Sequence, residues 1–263
     1  MAMSLNWERP AAIAHRGSRV LWPENTMTAF AGAVDLGYRY LETDLRLTSD
    51  GVIVCIHDAD VDRTTDGAGP VSSHTFDELC RLDAGFRHRR DGHPYRGTGV
   101  TIPSLVQVLT TFPQVRLALD LKEDGLVPAL IELGESIPLG NRVMVGSFSD
   151  RRLAEFHRAS GGTVPISTGQ TTATNWVLAS RLGRGVRGPA SALQLPVQMR
   201  GVPVVTRRLV ELAHERDVHV QVWTVNDPIE MQALLDLGVD GLVTDRPDLL
   251  KAVLEARGEW RGG

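Results

Sequence analysis

A chain of 263 residues, 42% hydrophobic and 23% charged, has the composition of a soluble globular protein. Its length suffices to bury about three quarters of the unfolded surface around one core. A net charge of −4 excludes a global basic field drawing it to nucleic acid or anionic membrane, so no nucleic-acid partner is expected. No run of about 18 apolar residues can span a bilayer, and Met1–Pro10 lacks the apolar stretch of a secretory signal. The expected compartment is therefore the cytoplasm, with no stable membrane anchor.

The first apolar run, Ala11–Ala14, reads as a strand and ends in His15-Arg16-Gly17. Asn25 before Thr26–Leu36 is a helix N-cap signal, and Gly37 a stop. Tyr38–Asp44 is the second strand. On it Glu42 and Asp44 stand two apart and share one face, while Leu41 and Thr43 take the other. Thr48-Ser49-Asp50-Gly51 is a turn signal before the apolar run Val52–Ile56. A hairpin with Asp50-Gly51 at its tip sets His57 directly across from Asp44.

Between His57 and a helix starting near Ser104 lie about 45 residues rich in Gly, Asp, Arg and His, and loops that long are uncommon in a compact fold. The segment contains a predicted helix over Thr75–Leu82. It reads as a small insertion, residues 59–103, capping the barrel mouth. Its basic run Arg87-His88-Arg89-Arg90 is either a solvated loop or a patch that steers an anionic substrate. Cys55 and Cys80 read as small core residues, since a chain of this size needs no disulfide framework.

From Arg116 onward strand and helix alternate. Strand candidates are Arg116–Leu121, Arg142–Val145, Thr163–Ile166, Ala190–Leu195, Val218–Trp223 and Gly241–Thr244. Helical periodicity occupies Asp150–Ala159, Thr206–Glu215 and Ile229–Leu237. With the two N-terminal strands this makes eight, and eight repeats in ~250 residues favour a closed (β/α)8 TIM barrel over an open doubly wound sheet. One domain over residues 11–257 is expected. Gly183-Arg184-Gly185-Val186-Arg187-Gly188 spells a dinucleotide fingerprint, but it follows a helix and leads to a strand, the reverse of the order such a site requires.

Ionisable residues recur where these strands end. Asp120 and Lys122 repeat the two-residue spacing of Glu42 and Asp44. Three carboxylates facing one space repel, and they need either a cation or ion pairs to stay charged. A hard divalent ion, Mg2+ or Ca2+, suits the all-oxygen ligands Glu42, Asp44 and Asp120. The competing reading is a purely structural ion-pair cluster with Arg16 and Lys122. His15 and His57 beside these acids suit proton transfer near neutral pH. Arg16 offers a planar fork, and Lys122 a point charge, for phosphate oxygens. Phe148 and Trp223 are either pocket walls or core, and Trp223 could stack on a cationic head group.

With these residues in place, the chain resembles the glycerophosphodiester phosphodiesterase family. The matching text is His15-Arg16-Gly17, Pro23-Glu24-Asn25-Thr26, Glu42-Thr43-Asp44, Thr48 with Asp50-Gly51, His57-Asp58 and Arg63-Thr64-Thr65 with Gly67 and Gly69. It continues through Asp120-Leu121-Lys122, Ser147-Phe148, Trp223-Thr224-Val225-Asn226 and Gly238-Val239-Asp240-Gly241 to Thr244-Asp245. The resemblance implies a TIM barrel with a small insertion after His57-Asp58. It implies hydrolysis of glycerophosphodiesters to glycerol 3-phosphate and an alcohol, with one divalent cation. By the same resemblance His15 and His57 are the general acid–base pair, and Glu42 and Asp44 are metal ligands. The family usually has Glu where this chain has Asp120, one methylene shorter, which bears on ion preference rather than reaction class. Two other functions stay open: a lysophospholipase D-like phosphodiesterase, which needs a long apolar groove, and a catalytically silent phosphate-binding barrel.

Overall fold

The computed structural model describes residues 4–89, 92–199 and 201–262; Arg90, last of the basic run, lies outside them. In chain order the elements are β1 (Ala11–His15), α1 (Met27–Asp35), β2 (Tyr40–Leu47), β3 (Ile53–Cys55), α2 (Phe76–Leu79), α3 (Leu105–Thr111), β4 (Arg116–Leu121) and α4 (Leu126–Ser136). There follow β5 (Val143–Gly146), α5 (Asp150–Ala159), α6 (Gln170–Arg181), β6 (Ala192–Pro196), β7 (Gln198–Met199), β8 (Val202–Pro203), α7 (Arg207–His214), β9 (His219–Trp223), α8 (Pro228–Asp236), β10 (Gly241–Thr244) and α9 (Pro247–Ala256). Among the described residues no helix is long and apolar enough to cross a membrane.

Seven parallel strands run in the order β5-β4-β2-β1-β10-β9-β6. The ring closes between β5 and β6 through Pro165–Thr168, which pairs Ile166 with Val145 and Ser167 with Ala192. The eighth stave is thus a pair of isolated bridges, not the regular strand expected over Thr163–Ile166. Pro165 explains part of this, because it has no N–H to give a ladder. The parallel, closed topology is that of a TIM barrel.

Strand alternation sorts the side chains. Leu41, Leu45, Leu117, Leu119, Leu121, Val143, Val145, Leu193, Val220 and Val222 are buried in one large apolar cluster. Ile13, Tyr40, Ala118, Met144, Ala192 and Val243 belong to a second cluster, with Leu5 and Trp7 of the N-terminal segment packed among them. His15 follows Ile13 by two residues, Glu42 and Asp44 follow Tyr40, and Asp120 follows Ala118. The period of two therefore carries these ionisable groups on the inner face, toward the strands' carboxyl ends.

Two local expectations need correction. The β2–β3 hairpin pairs Leu45 with Cys55 and Leu47 with Ile53, so Asp44 lies across from Ile56, not His57. The turn has three residues, Ser49-Asp50-Gly51, and Gly51 sits at φ +80°, the left-handed position such turns assign to glycine. The cap of α1 is Thr26, whose hydroxyl accepts from the Ala29 amide at 3.2 Å; Asn25, at φ +56°, turns its side chain elsewhere. The segment from Ile56 to Ile102 contains short helical turns, α2 among them, and has its own apolar cluster of Val61, Val71, Leu79, Ala84 and Val100 with Val54 of β3.

Candidate active site

A cavity of about 540 Å³ opens at the carboxyl ends of the barrel strands. His15, Arg16, Glu42, Asp44, His57, Asp120, Lys122, Phe148 and Trp223 all line it. Register explains part of this gathering: His15 stands beside Glu42, and Asp44 is opposite Asp120. No residue of 59–103 lines the cavity among the described residues.

The chain leaves β1 through Arg16 at φ +55° and Gly17 at φ +78°. A Cβ on Gly17 would come within 2.7 Å of the Ala29 side chain and closer still to its backbone, so only glycine lets α1 approach. This turn directs the Arg16 amide to the Glu42 carbonyl at 2.9 Å and its guanidinium to Asp44 at 3.0 Å and Glu24 at 2.8 Å. The Lys122 ammonium bridges Asp44 at 2.8 Å and Asp120 at 2.6 Å. Burial alone would raise the Asp44 carboxyl, but Arg16 and Lys122 outweigh it and pull it down to about 2. Glu42 fares the other way: burial, helped by Asp44, pushes it up to about 7.

Each histidine is anchored through Nδ1 by a carboxylate. His15 Nδ1 lies 2.7 Å from Asp245 and its Nε2 lies 3.7 Å from Glu42. Burial by itself would lower the His15 pKa, yet Glu42 and Asp245 more than offset it and hold it above its ordinary value. His57 Nδ1 lies 2.6 Å from Asp58. Asp58 in turn accepts from Arg63, which donates to Glu24 at 2.8 and 2.9 Å. An unbroken chain of charges therefore runs from His57 through Asp58, Arg63, Glu24 and Arg16 to Asp44.

Asp58, Arg63, Asp245 and Asn25 are site residues that local sequence reasoning did not assign. Asn25 gives its Nδ2–H to Asp44 at 3.0 Å and accepts from Thr43 at 2.7 Å. Asp245 also accepts from Arg19 and Asn226. The available signal was position: Asp245 directly follows β10, and carboxyl-terminal strand ends form the functional face of this fold. Phe148 and Trp223 meet edge to face at 5.7 Å, and the Lys122 ammonium stands 6.0 Å from the Phe148 ring centre.

The donor set suits a hard cation. Asp120 keeps one buried carboxylate oxygen without a hydrogen-bond partner, and Glu42 holds its proton to about 7 beside Asp44. Both features mark a deficit of positive charge among all-oxygen donors, which fits Mg2+ or Ca2+. Among the described residues no three His, Cys, Asp or Glu groups form a ready-made cage, and Asp44 is engaged by Arg16 and Lys122.

A closed parallel barrel with anchored imidazoles and paired charges at its carboxyl-terminal rim defines a TIM-barrel enzyme. The chain belongs to the glycerophosphoryl diester phosphodiesterase family, whose model matches residues 15–249. It is 40% identical over 258 residues to a Mycobacterium tuberculosis protein named probable glycerophosphodiester phosphodiesterase 2, covering 95% of this chain and 93% of that one. The glycerophosphodiester phosphodiesterase of Agrobacterium tumefaciens superposes with a TM-score of 0.76 at 26% identity, over 92% of this chain and 99% of that one. An Oleispira antarctica phosphodiesterase, solved with its product sn-glycerol-3-phosphate, has a TM-score of 0.75 at 24% identity, over 94% and 97% of the two chains.

Proposed function

We propose that this protein hydrolyses glycerophosphodiesters to glycerol 3-phosphate and an alcohol, with His15 and His57 as the acid–base pair. The observation that carries this reading is the pair of carboxylate anchors, Asp245 and Asp58, on the Nδ1 atoms of two imidazoles in one cavity. Such an anchor keeps the proton on Nδ1 and leaves Nε2 to exchange protons with a substrate. One imidazole takes the proton of the attacking hydroxyl, and the other protonates the departing alkoxide. Arg16 and Lys122 face the phosphate oxygens and offset the negative charge that repels a nucleophile. Phe148 and Trp223 form a wall that orients the organic part of the substrate.

Glu42, Asp44 and Asp120 would hold one divalent cation, Mg2+ or Ca2+. When bound, that ion supplies further charge neutralisation at the phosphate oxygens. The product carried by the Oleispira phosphodiesterase is the one this reading expects here. The proposed compartment is the cytoplasm, in keeping with the free thiols of Cys55 and Cys80.

The test is release of glycerol 3-phosphate from glycerophosphocholine and glycerophosphoethanolamine by chelator-treated protein, with Mg2+, Ca2+ and Mn2+ restored in turn. Activity lost on chelation and recovered with at least one ion is expected. A full rate in excess chelator would refute the cation requirement. Absence of turnover with every ion would refute the hydrolase reading.

A further inference from the structure

Although no described residue of 59–103 lines the cavity, the segment meets the charges of the site through Arg63. The Arg63 guanidinium stands between two carboxylates that serve different cavity residues. Along one edge its Nε–H and Nη2–H donate to Asp58, the partner of His57 Nδ1. At its tip Nη1–H and Nη2–H donate to Glu24 at 2.9 and 2.8 Å. The Glu24 oxygen that accepts from Nη2 also accepts from Arg16 Nη1, at 2.8 Å. One planar fork thus holds the carboxylate behind His57 and the carboxylate behind Arg16 together. Burial alone would raise both carboxyls, and the bond from Arg63 leads the effects that bring them below their ordinary values.

The surrounding sequence builds a mount for this side chain. Val61 and Thr65, two residues to either side, are fully buried, and Val61 belongs to the segment's own apolar cluster. Thr65 Oγ1 donates to the Val61 carbonyl at 2.9 Å and accepts from the Gly67 amide at 3.0 Å. The Val61 amide donates to the Gly69 carbonyl at 3.0 Å, and the Gly69 amide donates to Asp62 at 2.8 Å. A Cβ on Gly67 would come within 2.7 Å of Leu82, so glycine lets this turn sit against the segment's core. The turn is fixed from within, while the Arg63 side chain itself is 45% exposed.

Resting on the hydrolase reading above, we propose that Arg63 is a positioning residue for the reaction and that the insertion serves to mount it. Through Asp58 it sets the His57 ring for proton transfer. Through Glu24 it aims Arg16 at the phosphate. A misplacement of about 1 Å at such groups can cost ~100-fold in rate. Lysine would supply the charge, but one compact ammonium cannot present paired donors to two carboxylates in a plane.

The experiment follows release of glycerol 3-phosphate from glycerophosphocholine, with the divalent ion that best supports the parent protein. Arg63→Ala is expected to lower kcat by about 10- to 100-fold while its urea midpoint stays near that of the parent. Millimolar guanidinium, which fits the space left at this accessible site, should restore the Arg63→Ala rate several-fold; methylammonium at equal concentration should not. Arg63→Lys keeps the stem and the charge, and should share most of the loss. A parental kcat in either variant, or a lost rate that guanidinium leaves unrestored, would overturn this inference and leave the hydrolase reading intact. No turnover by the parent protein would overturn both.

Discussion

At the scale of single residues, the site is a set of opposed charges whose balance is set by geometry. Asp44 is the hub: it meets Arg16, Lys122 and Asn25, and so stays ionised in a buried place. His15 and His57 are each held by one carboxylate, and that pairing makes their contributions separable. His15→Ala and His57→Ala should each lower kcat by at least ~100-fold, the lower range for acid–base groups. Steady-state kinetics decide it, and near-normal turnover in either variant would remove that histidine from the mechanism. Asp245→Asn keeps the shape but loosens the hold on His15. It should cost about 10- to 100-fold in kcat with little change in KM. An unchanged kcat would show that His15 is oriented by its other neighbours.

At the scale of elements, the turn after β1 shows how much a single backbone position can govern. Gly17→Ala puts a methyl into the backbone of Ala29 and forces a side chain into the left-handed region, so it should destabilise the fold by at least ~2 kcal/mol. A urea midpoint equal to that of the parent protein would contradict this. The same elements show what a sequence can disclose. The spacing of Glu42 with Asp44 and of Asp120 with Lys122 was legible because a strand's period of two is a local property. So was α5, whose predicted bounds match the observed ones. The hairpin register was not legible, because Asp50-Gly51 suits both a two-residue and a three-residue turn, and one residue changes every partner. Asn25 followed by Thr26 offers two cap candidates, and only the approach of Asp44 decides that Asn25 serves the site. Asp58 and Arg63 share one short segment, but Glu24 reaches their relay from a distant one, so that contact depends on the completed fold.

At the scale of the whole molecule, the end opposite the cavity carries a separate acid sensitivity. His219 is buried at the start of β9 and accepts a hydrogen bond from Arg9 through Nε2 at 3.2 Å, which requires the neutral ring. Burial, reinforced by Arg9, lowers its pKa from 6.5 to about 4. The unfolded chain therefore binds more protons than the folded one between those values. Its contribution to stability is complete above pH 6.5 and is lost as pH falls through 4, a loss of about 3 kcal/mol. In His219→Gln the urea midpoint should fall less steeply across that window than in the parent; equal slopes would rule this out.

The ring of strands is not equally tight all the way round. Where β5 and β6 meet, four backbone hydrogen bonds through Pro165–Thr168 replace the continuous ladders found elsewhere. Breathing of the barrel should begin at that seam, so the amides of Ser167 and Thr168 should take up deuterium well before those of β1 and β10. Because Ser167, Thr168 and the helix that follows border the cavity, a molecule filling it should slow their exchange first, and deuterium uptake would then report occupancy without any turnover.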